Sequence, residues 1–191
     1  MTRLRIRIGR LALDPFDSKS SRELYAVRYH PTVRDFMANP ALIPYPSHVA
    51  WTRANLLGSS NLHLWLVRPH EGARATGFTQ LKINAAGDTA EIGVMFREAA
   101  KHQVSAVLAT AVTLHLAYKQ FDCPWVISYV IPAHQHAIDF NVAWGASIVD
   151  SDKAGMVQLR LHRDVCTSNQ NYRRVMARLR DRLSICREED Q

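Results

Sequence analysis

Thr89-Ala90-Glu91-Ile92-Gly93-Val94-Met95-Phe96, followed seven residues later by Val104-Ser105-Ala106-Val107-Leu108-Ala109-Thr110-Ala111-Val112-Thr113-Leu114-His115-Leu116-Ala117-Tyr118, decides the fold. The first run is strand-like and follows a turn at Ala85-Ala86-Gly87-Asp88. The second is rich in Ala, Leu and Val and holds no Gly or Pro, which predicts a buried helix. The next apolar run, residues 125–131, is β-branched and closed by Pro132. A strand, a buried helix and a strand in that order make a crossover, and so a parallel strand pair.

Strand-like runs at 62–67 and 76–83 precede the crossover with short connections, which predicts an antiparallel meander ending in residues 89–96. Arg3-Leu4-Arg5-Ile6-Arg7-Ile8 alternates with period two, so it reads as a half-buried strand at an edge, with one arginine face. Asp14-Pro15-Phe16-Asp17-Ser18 is a turn leading into a helix over 21–29 that stops at His30-Pro31. A further helix is expected from Ser47, as its cap, to Leu57 before Gly58. Downstream, residues 134–144 predict a helix ended by Gly145, and residues 147–150 and 156–162 a hairpin around Lys153-Ala154-Gly155. Residues 169–187 read as an amphipathic helix with Val175, Met176, Leu179, Leu183 and Cys186 on its apolar side. The order β, α, α, β, β, β, α, β, α, β, β, α predicts an α+β domain built on a mixed, mostly antiparallel sheet flanked by helices. The body is expected over residues 1–165, and residues 166–191 form an added basic helix and an acidic tail.

Composition narrows the class. With 191 residues, 47% of them hydrophobic and 21% charged, the chain is long enough for one sizeable core and is not disordered. The net charge of +7 first suggests nucleic acid. It is concentrated, however, in four arginines within residues 1–10 and six arginines against four acids in residues 171–191. The long middle is nearly neutral. Cys123, Cys166 and Cys186 form no CxxC pair, which fits a reducing, cytoplasmic setting. No apolar run suits a leader peptide or a membrane span, so a soluble chain is expected. His134 and His136, with His102 and His115 elsewhere, match no metal-ligand spacing, and no metal is expected. Trp51, Trp65, Trp125 and Trp144 are scattered as core residues are.

Four stretches in order resemble the GNAT acyl-CoA N-acyltransferase superfamily, in its ribosomal-protein and amino-sugar N-acetyltransferase branch. They are Tyr29-His30-Pro31-Thr32-Val33-Arg34-Asp35-Phe36-Met37, Ser47-His48-Val49-Ala50-Trp51, Ala90 to Phe96, and Val130 to Gly145, with Ala137-Ile138-Asp139-Phe140 in register. The resemblance covers roughly residues 3 to 163. It implies an acetyl (acyl) transfer from acetyl-CoA to a primary amine, of a protein N-terminus or an amino sugar. The pantetheine arm would lie along Val94, Met95 and Phe96, and the phosphates over Lys101, His102, Val104, Ser105 and Ala106. Glu91 stands where several members keep the carboxylate that takes the amine proton. As an alternative role, one carboxylate on a strand is often just a charge partner.

Three positions depart from the family pattern. Val104 replaces the central glycine of the phosphate turn, where positive φ would be costly for a β-branched residue. His134 stands at an asparagine position, and Asn141 at the position of a tyrosine acid, a proton that asparagine cannot supply. These changes motivate an alternative in which the domain is catalytically silent and serves as a structural or assembly component. Short-tailed phages carry GNAT-like virion proteins that the segment Ala137 to Ala146 resembles. A third reading has the basic ends bind nucleic acid, and the basic C-terminal helix is also a candidate surface for a protein partner or a second copy.

Overall fold

The computed structural model describes residues 3–37 and 39–188; Glu189 and Asp190 of the expected acidic tail lie outside them. Nine strands among the described residues form one sheet: β1 (Arg3–Ile8), β2 (Leu11–Pro15), β3 (Leu62–Arg68), β4 (Gly77–Ile83), β5 (Thr89–Phe96), β6 (Trp125–Val130), β7 (Ser147–Val149), β8 (Val157–His162) and β9 (Leu183–Glu188). Their spatial order is β7-β8-β6-β5-β4-β3-β2-β1-β9. Of these, only β5 and β6 pair in parallel, because only they are joined by the crossover helix α4 (Gln103–Lys119). The meander β3-β4-β5 pairs antiparallel as its short connections require.

Each face of the sheet buries its own apolar set. On one face Ile6, Leu13, Trp65, Val67, Leu81 and Ala90 pack with Ala109, Val112 and Leu116 of α4. Thr79 of β4 and Thr113 of α4 share a buried hydrogen bond of 2.8 Å, which spares both hydroxyls an unpaired burial costing about 1–3 kcal/mol. On the other face α1 (Ser21–Arg28) lays Leu24 and Val27 against Phe16, Leu64, Leu66 and Phe78. Behind α1 comes the short α2 (Pro31–Arg34), then α3 (Tyr45–Thr52), which starts before Ser47 with Pro46 in its first turn. Ser47 is therefore inside the helix and not its cap, and α3 runs on as a wider turn from Arg53 to Leu57 before Gly58. Trp51, expected in the core, is 37% exposed and lies against the Arg28 guanidinium.

The C-terminal part differs from expectation. After α6 (Arg163–Ser168), the amphipathic helix is only α7 (Gln170–Leu179). The chain then turns at Arg182, whose carbonyl accepts from the Gly9 N–H, and returns as β9 antiparallel to β1. Leu183 and Ile185 alternate with Ser184 and Cys186, so the same apolar residues that fit a helix also fit a strand. The period-two backbone of β1 decides the matter by offering unpaired hydrogen-bonding groups. Consequently β1 is an interior strand and not an edge.

The arginine face of β1 is also not simply wet. Arg7 donates to Asp14 at 2.8 Å and to Glu71 at 3.2 Å. Arg68 bridges Asp14 on β2 and Glu23 on α1. Glu23 accepts the Ala75 N–H as well, and this clamps α1 to the sheet. Burial alone would raise the Glu23 carboxyl, but the Arg68 hydrogen bonds, the Ala75 amide and the nearby positive charge together hold it below its usual value. A carboxyl depressed in the folded state adds stability that is complete above its unfolded pKa, and loses it as pH falls through the folded value. The expected outcome for Glu23→Gln is a loss of about 1.5 kcal/mol at neutral pH, after allowance for partial exposure. Urea unfolding of both proteins should show the difference shrinking below about pH 4.

Candidate functional site

The parallel pair β5-β6 is short. It holds only at Thr89↔Trp125, Ala90↔Val126 and Glu91↔Ile127. Beyond this fork β5 stays with β4 and β6 stays with β8, so the two strands diverge. Backbone alternation tells which groups face the gap. The Arg97 N–H donates to Thr76 and the Thr89 carbonyl accepts from Asn84, so odd-numbered residues of β5 turn their backbone groups toward β4. Val94 and Phe96 therefore point N–H and C=O into the gap. Met95, expected to line the arm with them, spends its backbone on β4 and packs its side chain with Phe78.

On the α4 side of the fork a small cavity is lined by Ile92, Thr110, Ser128, Phe140, Asn141 and Trp144 among others. Here α5 (Gln135–Ala143) brings Asn141 to Ser128, the first residue of β6 past the fork. Asn141 Oδ1 accepts from Ser128 Oγ at 3.3 Å, and Nδ2 donates to the Ala137 carbonyl at 2.7 Å. Both ends of the amide are thus committed. His134, at the start of α5, stacks on Phe36 with centroids 4.0 Å apart. Burial there, and then the neighbouring His136, lower its pKa, so it stands neutral.

Glu91 lies on the opposite face of the sheet from Asn141, so the two candidate catalytic residues flank the fork without touching. The Glu91 carboxylate has a partner: Lys153 Nζ, from the β7-β8 hairpin, sits 3.0 Å from each of its oxygens. The same ammonium lies 3.6 Å from the ring centroid of Tyr129. Tyr129 donates its hydroxyl to Asp152 at 2.7 Å. Burial, the Asp152 contact and the Glu91 charge all push that phenol above its usual pKa.

The turn from β5 into α4 sits at the open end of the gap. Its left-handed residue is Glu98, φ 47°, with its N–H donated to Thr32 Oγ1 of α2 at 3.0 Å. Val104 is helical, in the first turn of α4, and 73% exposed, so the strain expected at this position is absent. Among the described residues no side chain caps the start of α4. The amides of Lys101, His102 and Ala106 bond to Glu98, Ala99 and His102. Those of Gln103, Val104 and Ser105 occupy the helix positions that lack intrahelical acceptors. Lys101 Nζ pairs with Glu98.

Lys153, Tyr129 and Ser128 are not marked as site residues by the sequence alone. Tyr129 was within reach, because it is two residues past Ile127 on a strand beside Glu91 and so shares a face with it. Lys153 carried no such signal. It is 62 residues from Glu91 and meets it only through the hairpin.

A family model described as an acetyltransferase (GNAT) domain matches residues 10–146. A GNAT-family acetyltransferase from Bacillus anthracis is 14% identical, with 84% of this chain and 99% of that one covered at a TM-score of 0.67. The spermidine/spermine N-acetyltransferase of Vibrio cholerae, in mutant forms, is 10% identical over 82% of this chain and 96% of that one, TM-score 0.66. A domain from Methanocaldococcus jannaschii is 14% identical over 85% and 99%, TM-score 0.65. No curated protein matches by sequence.

Removing the Tyr129 hydroxyl should loosen the hairpin without unfolding the domain. Tyr129→Phe is expected to cost about 1 kcal/mol and to speed amide hydrogen exchange across residues 150–156, with β4 and β5 unchanged.

Proposed function

Because the chain belongs to the GNAT acetyltransferase family, we propose that it transfers an acyl group from acyl-CoA to a primary amine, with the gap beyond the Glu91↔Ile127 pair as the place of transfer. That gap is the observation that carries the reading. It offers a pantetheine arm the unpaired backbone groups of Val94 and Phe96, in the manner of an added strand. The donor set fits the rest of an acyl-CoA: the first-turn amides of Gln103, Val104 and Ser105 and the dipole of a 17-residue helix favour a pyrophosphate at the gap's open end. Lys101 adds positive charge once it leaves Glu98. Met95 has no backbone group to give.

The co-substrate supplies a thioester carbonyl that an amine can attack. The chain's part is to hold and to move a proton. The Val94 N–H is placed to polarise a carbonyl oxygen lying in the gap. Glu91 receives the proton of the incoming ammonium, after parting from Lys153. Asn141, bound at both ends, positions Ser128 and the cavity wall and leaves the departing sulfur to take its proton from water. The branch resemblance favours a protein N-terminus or an amino sugar as acceptor. Among the described residues no helix is long and apolar enough to cross a membrane.

Val94→Pro removes an N–H that no strand uses, so the variant should fold and melt close to the parent while losing at least about tenfold in acetyl-CoA affinity by calorimetry. Met95→Pro removes a ladder bond and should cost about 3 kcal/mol or more. Wild-type protein that binds no acetyl-CoA at millimolar ligand would favour the alternative of a silent assembly domain. Unchanged affinity in Val94→Pro would place the arm elsewhere.

A further inference from the structure

Lys153 presents a primary ammonium to the group assigned as the amine's base. It is held by both oxygens of Glu91 at 3.0 Å and covered by the face of Tyr129 at 3.6 Å. Carboxylate on one side and an aromatic face on the other is how an alkylammonium acceptor would itself be recognised. Other charges are already placed around them: Lys82 stands directly across the ladder from Glu91, Asp152 is engaged by Tyr129, and Arg160 lies over the Trp125 ring.

We propose that Lys153 is an acyl acceptor of the protein's own transfer reaction, a self-acylation site on the β7-β8 hairpin. The inference rests on the acyl-CoA reading given above. In the step, an Nζ proton passes to Glu91, the freed nitrogen forms a bond to the thioester carbonyl carbon, and the carbon–sulfur bond breaks. The thiolate leaves and takes a proton, giving an amide on Lys153 and a free thiol. No oxidant or further reactant is needed beyond the acyl thioester.

The step requires travel. Val94 is three residues along β5 from Glu91, about 10 Å at the rise of a strand. The hairpin tip is held by the Tyr129 hydroxyl on Asp152, the Met156 N–H on the Lys153 carbonyl, and exposed bonds from Ser151 to the Lys153 backbone and from the Asp152 N–H to Gln158 at 3.4 Å, and these are the contacts that part as Lys153 moves toward the gap. Acylation removes the positive charge, which ends both the ion pair and the cation–π contact. Glu91 is then released, so the modification is also a switch from a self-occupied site to an open one.

The test needs no knowledge of an external acceptor. Full-length protein is incubated with acetyl-CoA, and acetylation is followed by intact mass and peptide mapping, with acetyl-CoA binding measured on the same preparation by calorimetry. The chain has four other lysines, all of them exposed; Lys19, Lys101 and Lys119 are the internal controls for uncatalysed acetylation, and Lys82, across the ladder from Glu91, is mapped as the competing acceptor whose faster labelling would overturn the assignment to Lys153. The expected result is modification of Lys153 at least about tenfold faster than any of them, slowed about a hundredfold in Glu91→Gln and blocked by excess free CoA. Lys153→Arg, which keeps the ion pair but offers no acylable amine at this pH, should bind acetyl-CoA and gain no such label. If the protein binds acetyl-CoA but labels Lys153 no faster than Lys19 or Lys101, self-acylation is overturned while the acyl-CoA reading stands. If it binds none, that reading falls and self-acylation falls with it.

Discussion

Three parallel residue pairs between β5 and β6, and none after them, are the constraint on which the rest of the site depends. Each unpaired strand group past Glu91↔Ile127 forgoes a ladder hydrogen bond, so the divergence has to be held open by packing. The cavity beside the fork is walled mainly by apolar side chains: Ile92, Phe140 and Trp144 line it with Leu159 and Leu161 of β8, and Trp144 and Leu159 are almost fully buried. In that wall α5 brings Asn141 to Ser128. On the same face α4 is tied to β4 through Thr79 and Thr113.

The electrostatics of the two faces are different in kind. On the α4 face the polar groups of the cavity wall are hydroxyls, from Thr110 and Ser128, and the Asn141 amide. The opposite face carries Glu91, Lys153, Tyr129 and Asp152 in a connected chain of contacts. An acyl group in the gap would thus meet a neutral wall on one side and a proton-accepting cluster on the other. In that cluster Glu91 is ion-paired with Lys153; in the proposed transfer it would act as base only once an amine took the place of Lys153.

Much of the charge that dominates the composition has a structural role. The arginines of β1 looked like a docking surface while β1 was read as an edge. With β9 hydrogen-bonded along it, β1 is covered on that side, and Arg7 and Arg68 are spent on Asp14, Glu23 and Glu71. Besides Arg5, which pairs with Asp14, the exposed arginines near the ends are Arg10 and, on α7 and in the turn and strand after it, Arg173, Arg174, Arg178, Arg180, Arg182 and Arg187.

The sequence by itself determined the α+β order, the meander, the crossover that makes one parallel pair, and the run of residues that leads from β5 into α4. Each rests on a local signal, a period of two or 3.6, a turn or a breaker. It also placed Glu91, Val94 and Phe96 on one strand, which is β5 beside the fork. Only the tertiary structure decided three further things. Residues 183–188 became a strand because β1 had hydrogen-bonding groups to fill, and their spacing of apolar residues suited either helix or strand. Met95 was turned out of the gap because the β4 register, not residue type, sets which backbone groups face it. Lys153 was brought to Glu91 from 62 residues away, through a hairpin whose own sequence records only a turn. Local signals report what a segment can become; which groups meet across a sheet follows from register and strand order, and those are properties of the whole chain.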